Sequence, residues 1–457
     1  FLDGDGMISS IAIKDGKAYF RNKFVRTPGF VEEEKDNSFK FLSIFTEEDP
    51  RPQHSGKPTW QHRLMDDIFA GPPTLKNNGA YNAWYWGDSL VAVDFGKPHG
   101  LSKTNMDTIG AVDEFSSDNY TAHSRILAEP GTGELRLVTF SPYVDWAKQK
   151  TTVTFAEWNE AGKKVKESVF EFRAAYFHDM VVTDNWYILF DCPIKMDIMK
   201  TFVGYPMGKH SLGDTISADH SRPPLFRMFP RREGLKPMEI PVEGLHCYAY
   251  HHVNGFDVEG GDKVIFDTCT WDRFNLYFKD IVEPDGRDYF PRTKLSRFEI
   301  DLKAGVAKHS VINERPCEYP TVAPSVSGRP YRHSYMSTSA AVDGEINGPM
   351  QALTKVSLTE LSSSCRTTKE STWYPGKRRF VGEPLFVARP GSDGTVEDDG
   401  WLMVLVHDSE IEGTLVAIMD AQAVEDGPLA LLKLPTYVPM GVHGSWTDSY
   451  ILGPCEN

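Results

Sequence analysis

The sequence predicts an all-β protein, a β-propeller occupying residues 1–457 as one domain. Three observations carry that expectation. Short runs rich in Val, Ile, Thr, Phe, Tyr and Trp recur along the chain, and such side chains fit a pleated, half-buried surface. Gly, Pro, Asp and Asn bound these runs at intervals of about 8–12 residues, the rhythm of sandwiches, barrels and propellers. Helical periodicity is scarce, and strands do not alternate with helices as a parallel α/β sheet requires.

Taken in order, the strand-like runs are Ile8–Ile13, Leu90–Val93, Glu134–Phe140, Val181–Phe190, Lys263–Thr270, Trp401–Val406 and Thr414–Met419. The opening Asp3-Gly4-Asp5-Gly6 reads as a tight turn between strands. It is not a calcium loop, because Ala12 stands where the bidentate Glu belongs. Asp272–Val282 and Ala421–Leu432 are expected to hold short helices, and Met207–Arg222 and Leu361–Thr372 to be loops or insertions. No WD or kelch signature marks the blades.

Lys and Arg number 49 against 64 Asp and Glu, a net charge of −15. That balance speaks against nucleic acid as the main partner, whatever the local basic run Lys377-Arg378-Arg379 does. No run of 18 apolar residues occurs, so no transmembrane helix is expected. Peripheral association with a membrane through an apolar patch is compatible with this composition. The six cysteines form no C-x-x-C pair and read as buried thiols, Cys455 being the one expected at the surface. The chain opens on Phe1 inside a turn, so an N-terminal segment, with any targeting signal, is expected to be missing. Compartment and oligomeric state are not legible.

Four of the 14 histidines have unusual settings: Ala122-His123-Ser124, Phe177-His178-Asp179-Met180, His251-His252-Val253-Asn254 and Val442-His443-Gly444. No local metal motif joins them. Taken singly, each reads as a structural imidazole. A G-x-S-x-G elbow and a phosphate-binding loop are both absent, and no glycosidase-like carboxylate pair stands out.

Read together, the histidine contexts resemble the carotenoid cleavage oxygenase family, which includes stilbene-cleaving members. The matching stretches run nearly end to end. They are Phe1 to Met7, Leu90 to Gly110, Thr121-Ala122-His123 with Thr132-Gly133-Glu134, and His178-Asp179 with Thr183. They continue with His251-x-x-Asn254, Glu318-Tyr319-Pro320, Glu383-Pro384-Leu385-Phe386-Val387, Glu397 to Gly400, and Leu434 to Trp446. The resemblance implies a seven-bladed propeller with a loop and short-helix cap over an axial Fe(II). Its implied ligands are His123, His178, His251 and His443. His252 competes for the third place, but the H-x-x-N register selects His251, and on a strand His252 then faces the other way. Carboxylates bonded to the outer ring nitrogens are implied at Glu318 and Glu383, with Asp94 in place of a third glutamate.

Four departures bear on chemistry. Asp94 is one methylene shorter than the usual Glu. Gly255 and Asp257 stand where Ala and Glu are usual. Val93 replaces the lysine that binds the phenol in stilbene-cleaving relatives, which favours an apolar polyene. An Asn-Thr pair of the family is replaced near Asn82-Ala83. Trp84, Tyr85 and Trp86, with Val93, are candidate linings of a substrate tunnel. The implied activity is O2-dependent cleavage of a conjugated double bond in a carotenoid or apocarotenoid. The alternatives are a stilbene-cleaving dioxygenase, a retinoid-type isomerohydrolase and a non-enzymatic propeller scaffold.

Overall fold

A computed structural model describes residues 4–41, 44, 76–113, 115, 121–145, 148–205, 210–258, 260–274, 291–340, 349–358 and 367–452. Phe1 to Asp3, Cys365, Cys455, most of the expected helix Asp272–Val282, and the starts of both expected loops lie outside these residues.

The chain lays down antiparallel sheets one after another. The first blade comprises Asn82–Trp86, Ser89–Val93, His99–Leu101 and Thr108–Ala111. The second comprises Ser124–Ala128, Leu135–Asp145, Lys150–Trp158 and Lys164–Arg173. The third comprises Met180–Val182, Trp186–Asp191, Leu225–Pro230 and Met238–Pro241, with a small ribbon, Ile194–Met196 and Ile216–Ala218, inserted. The fourth comprises Tyr248–Asp257, Lys263–Trp271, Thr293–Asp301 and Val306–Asn313. The fifth comprises Cys317–Thr321, His333–Thr338, Ala352–Leu358 and Thr367–Trp373. In the sixth, Arg379–Val381 and Leu385–Ala388 both pair with Gly400–Asp408, and Gly413–Asp420 and Pro428–Lys433 follow. First strands of the second to fifth blades touch their neighbours, which sets them innermost, around the axis.

The expected count of seven blades is corrected to six among the described residues. The hairpin Met7–Lys14 and Lys17–Phe24 stays a two-stranded ribbon. Met7, Ile11 and Phe20 of this ribbon pack on Val416, Leu432 and Leu434 of the sixth blade and the segment after it. Ile8 and the adjoining Val25 pack on Leu90, Ala92 and Leu101 of the first. The ribbon therefore closes the ring without building a full sheet. Both its faces are covered, so two strands suffice where an isolated hairpin would be marginal.

Every other joint is an apolar seam between neighbouring blades. Val91 and Val93 meet Leu137 and Trp158. Phe140 and Phe155 meet Tyr187 and Phe229. Ile188 and Phe226 meet Phe266 and Phe298. Cys269 and Leu295 meet Cys317 and Met336, and Tyr335 and Leu353 meet Phe386 and Leu402. Alternation along each strand supplies both faces, because successive side chains point to opposite sides.

Other sequence expectations change in detail. Val181–Phe190 is two strands, broken where the Thr183 hydroxyl accepts from Asn185 N and Trp186 N. Ala421–Leu432 holds a 3-10 turn, Val424–Asp426, and then a strand rather than a helix. The first expected loop contains the strand Ile216–Ala218, and the second runs into the strand Thr367–Trp373. Gly4 to Gly6 leads into the first strand instead of joining two. Gly6 N donates to Asn78 O at 3.0 Å, and a Cβ on Gly6 would lie 2.2 Å from Gly79 O. One α-helix was not expected, Pro28–Asp36. Its signals are short-range: the Thr27 hydroxyl caps Phe30 N, Pro28 sits in the first turn, and Asn37 closes it in a left-handed conformation.

Candidate metal centre

His123 lies one residue before the first strand of the second blade, His178 two residues before that of the third, and His251 within that of the fourth. His443 arrives differently. After the sixth blade the chain runs back towards the first, where Ser445 Oγ donates to Ala83 O and Leu452 N to Lys103 O. One nitrogen from each of these four rings lies within 4.8 Å of the others. His178 Nε2 is 3.1 Å from His123 Nε2 and 3.2 Å from His251 Nε2.

Two carboxylates hold the outer ring nitrogens. Glu318 Oε2 is 2.6 Å from His251 Nδ1 and also accepts from Tyr319 N, while its other oxygen accepts from Trp271 Nε1. Glu383 Oε1 is 2.8 Å from His443 Nδ1, and its Oε2 accepts from Gly444 N. Each contact favours the tautomer with its proton on Nδ1, which leaves Nε2 as a lone-pair donor aimed at the axis.

Burial and the neighbouring rings hold His123 and His178 well below the usual imidazole range. Burial also pushes His251 down, but the charge and hydrogen bond of Glu318 outweigh it and leave the ring raised. Burial therefore favours the neutral imidazole at His123 and His178. His443 Nε2 is buried with no hydrogen-bond partner among the described residues. Convergent lone pairs of this kind suit a cation, and imidazole suits iron, copper, nickel and zinc.

His252 lies off the axis. Its Nδ1 meets Thr268 Oγ1 at 2.8 Å, and its ring packs on Phe266 and Phe190 in the apolar seam. Burial lowers it to about 4.

Asp94 is a correction. Its oxygens accept from Asn78 N and Phe95 N, and among the described residues no imidazole bonds to it. Burial pushes this carboxyl up to about 7 against the pull of those amides. The shorter side chain holds the loop after Lys76, the same loop that receives Gly6.

The candidate tunnel residues are also corrected. Trp84 and Val93 are buried in the seam between the first two blades, with Trp84 edge-on to Phe115 at 5.0 Å. Trp86 Nε1 donates to Asn159 O, and Tyr85 packs towards the closing ribbon with its hydroxyl on Asp88. Strand alternation sends these rings into two opposite seams rather than into one passage.

The other departures are compensated locally. A Cβ on Gly255 would lie 2.6 Å from Val181 Cγ1, so Val181 fills the space an alanine would take. Asp257 accepts from Thr183 Oγ1, Asn185 N and Asn185 Nδ2, tying the fourth blade to the third. Asn254 accepts from Gly328 N and donates to Val326 O and Arg329 O.

Several residues at the centre were given no role from sequence. Tyr319, at φ 54°, stacks on His251 at 5.1 Å and stands edge-on to His443 at 5.8 Å. Tyr250 stands edge-on to His178 at 5.2 Å. Buried Asp179 and half-buried Arg125 form an ion pair beside the rings. Their only signal was adjacency, since Asp179 follows His178 and Arg125 lies two residues past His123.

Comparison with known proteins agrees with this fold. The chain is 31% identical over 465 aligned residues to the apocarotenoid-15,15'-oxygenase of Synechocystis, covering 98% of this chain and 86% of that protein. It is 26% identical to carotenoid 9,10(9',10')-cleavage dioxygenase 1 of Pisum sativum, with 97% and 80% covered. It is 24% identical to resveratrol cleavage oxygenase 1 of Chaetomium globosum, with 98% and 79% covered. The crystal structure of cobalt-substituted Synechocystis apocarotenoid oxygenase superposes with a TM-score of 0.83 at 30% identity, over 98% of this chain and 88% of that one. The family model described as retinal pigment epithelial membrane protein matches residues 1–448, and the chain belongs to that family, which includes the carotenoid cleavage oxygenases.

Proposed function

We propose that this protein is a non-haem iron(II) dioxygenase that cleaves a conjugated carbon–carbon double bond of a carotenoid or apocarotenoid with O2. The bond and the O2 molecule are consumed together and two carbonyl groups are formed. The observation that supports this reading is the convergence of His123, His178, His251 and His443, with Glu318 and Glu383 on two outer nitrogens. Bound there, iron(II) supplies the O2 activation that no side chain can. Four neutral ligands leave its charge uncompensated, and the two carboxylates offset that charge at one remove. Glu318 and Glu383 fix the tautomers. Tyr319 and Tyr250 wall the rings. No side chain acts as nucleophile, so the protein's contribution is positioning.

The greater likeness to the apocarotenoid oxygenase, 31% identical, than to the resveratrol oxygenase, 24% identical, supports a polyene over a stilbene. The same reading covers delivery of an apolar substrate. Ile198, Met199, Phe202 and Val203, around the π-helical turn Lys200–Gly204, are exposed, and this patch would meet a lipid surface. Among the described residues no helix is long and apolar enough to cross a membrane.

The test is elemental analysis for iron, then product analysis on a panel of polyenes under air. Aldehyde products from an apocarotenoid are expected. An iron-loaded protein inert on every polyene and stilbene overturns the proposal, and resveratrol turnover rivalling polyene turnover reverses the substrate ranking.

A further inference from the structure

Three of the four converging imidazoles share one brace. Arg125 lies two residues beyond His123, Asp179 directly follows His178, and His252 directly follows His251. Arg125 Nη2 donates to Asp179 Oδ2 at 2.6 Å and to His252 O at 2.9 Å, while its Nε donates to Met180 O at 2.8 Å. Asp179 Oδ2 also accepts from His252 N at 2.9 Å, and Oδ1 accepts from Met180 N. Oδ1 stands 3.8 Å from His123 Nδ1. The Asp179 side chain is 2% exposed, and that of Arg125 22%.

These contacts join backbone next to a ring on the second, third and fourth blades. The apolar seams can slide slightly without losing much, because burial is not directional. A guanidinium fork bound at three fixed oxygens cannot. We infer that the Arg125–Asp179 pair is a positioning device that sets the spacing of His123, His178 and His251, and hence the metal preference of the centre. Asp179 is then a third carboxylate beside the rings, 3.8 Å from His123 Nδ1. The inference rests on the proposal that these histidines hold a metal.

The experiment uses the purified full chain loaded with Co(II), whose visible absorption bands report ligand geometry. Arg125→Lys keeps a charge beside Asp179, so the buried carboxylate is not orphaned. Its ammonium cannot reach Asp179 Oδ2, Met180 O and His252 O in one fixed fork. The expected result is a shifted band pattern and a loss of Co(II) affinity of about 10-fold. The double variant Arg125→Met with Asp179→Asn removes both charges together, which avoids an unpaired buried ion, and is expected to lose more. A lower melting temperature with unchanged bands and affinity in either variant would make the pair a plain structural brace and overturn the inference. Failure of the parent protein to bind Co(II) or Fe(II) would instead overturn the metal-centre proposal.

Discussion

Glu318 Oε2 and His251 Nδ1 stand 2.6 Å apart, and the same carboxylate also holds Trp271 Nε1 and Tyr319 N. One side chain therefore sets a ligand's tautomer, a neighbouring ring and a left-handed backbone. Glu318→Gln keeps the shape but loses the charge. Iron affinity is expected to fall about 10- to 100-fold, with the far-ultraviolet circular dichroism unchanged. Competition with a chelator measures it.

The adjacent histidines 251 and 252 should separate cleanly. His251→Ala is expected to abolish stoichiometric iron binding. His252→Ala is expected to retain iron but to lose stability on the order of 2 kcal/mol, through a cavity against Phe266 and Phe190. Elemental analysis and urea unfolding distinguish the two. Iron lost from the His252 variant alone would reassign the ligand.

Asp94 makes stability depend on pH. Its carboxyl is raised to about 7 in the fold, against about 3.9 in an unfolded chain. Between those values the native state holds a proton that the unfolded state has released, so stability falls as pH rises. The stability of the parent relative to Asp94→Asn should drop by about 1.4 kcal/mol per pH unit across that window. A difference that stays flat would place the titration elsewhere.

Gly255 and Val181 should be coupled. Gly255→Ala puts a methyl 2.6 Å from Val181 Cγ1 and 2.9 Å from Ile265 O. It is expected to cost about 1–3 kcal/mol. Adding Val181→Ala should recover part of that loss, because the backbone clash remains. A strictly additive double variant would show that the two side chains do not compete for the space.

The histidines were legible because each sits in its own ordered sequence context, and the structure brings all four together. Glu318 and Glu383 were legible for the same reason, and each bonds an outer ring nitrogen. Asp94 was misplaced because alignment gives position along a strand, not the direction or reach of a shortened side chain. The aromatic run Trp84-Tyr85-Trp86 looked like a lining because periodicity cannot tell two packed seams from one passage. Arg125 and Asp179 were invisible as a pair, since their contact spans two blades and leaves no local pattern. Propeller architecture followed from turn rhythm. The blade number did not, because whether a hairpin gains further strands depends on contacts with residues far along the chain.

The closing ribbon also bears on how the molecule forms. Ile11 and Phe20 find Leu405 and Val438 only across roughly 400 residues of chain, a separation at which loop closure is slow to reward its entropy cost. Each blade pairs with its neighbour through nearby sequence, whereas this seam does not. Assembly should then proceed blade by blade, with sealing of the ring as the late and rate-limiting event. His443, which follows the sixth blade and lies just before the contact with Ala83, would reach the other three rings only at that moment. Metal affinity would accordingly report completion of folding rather than its onset.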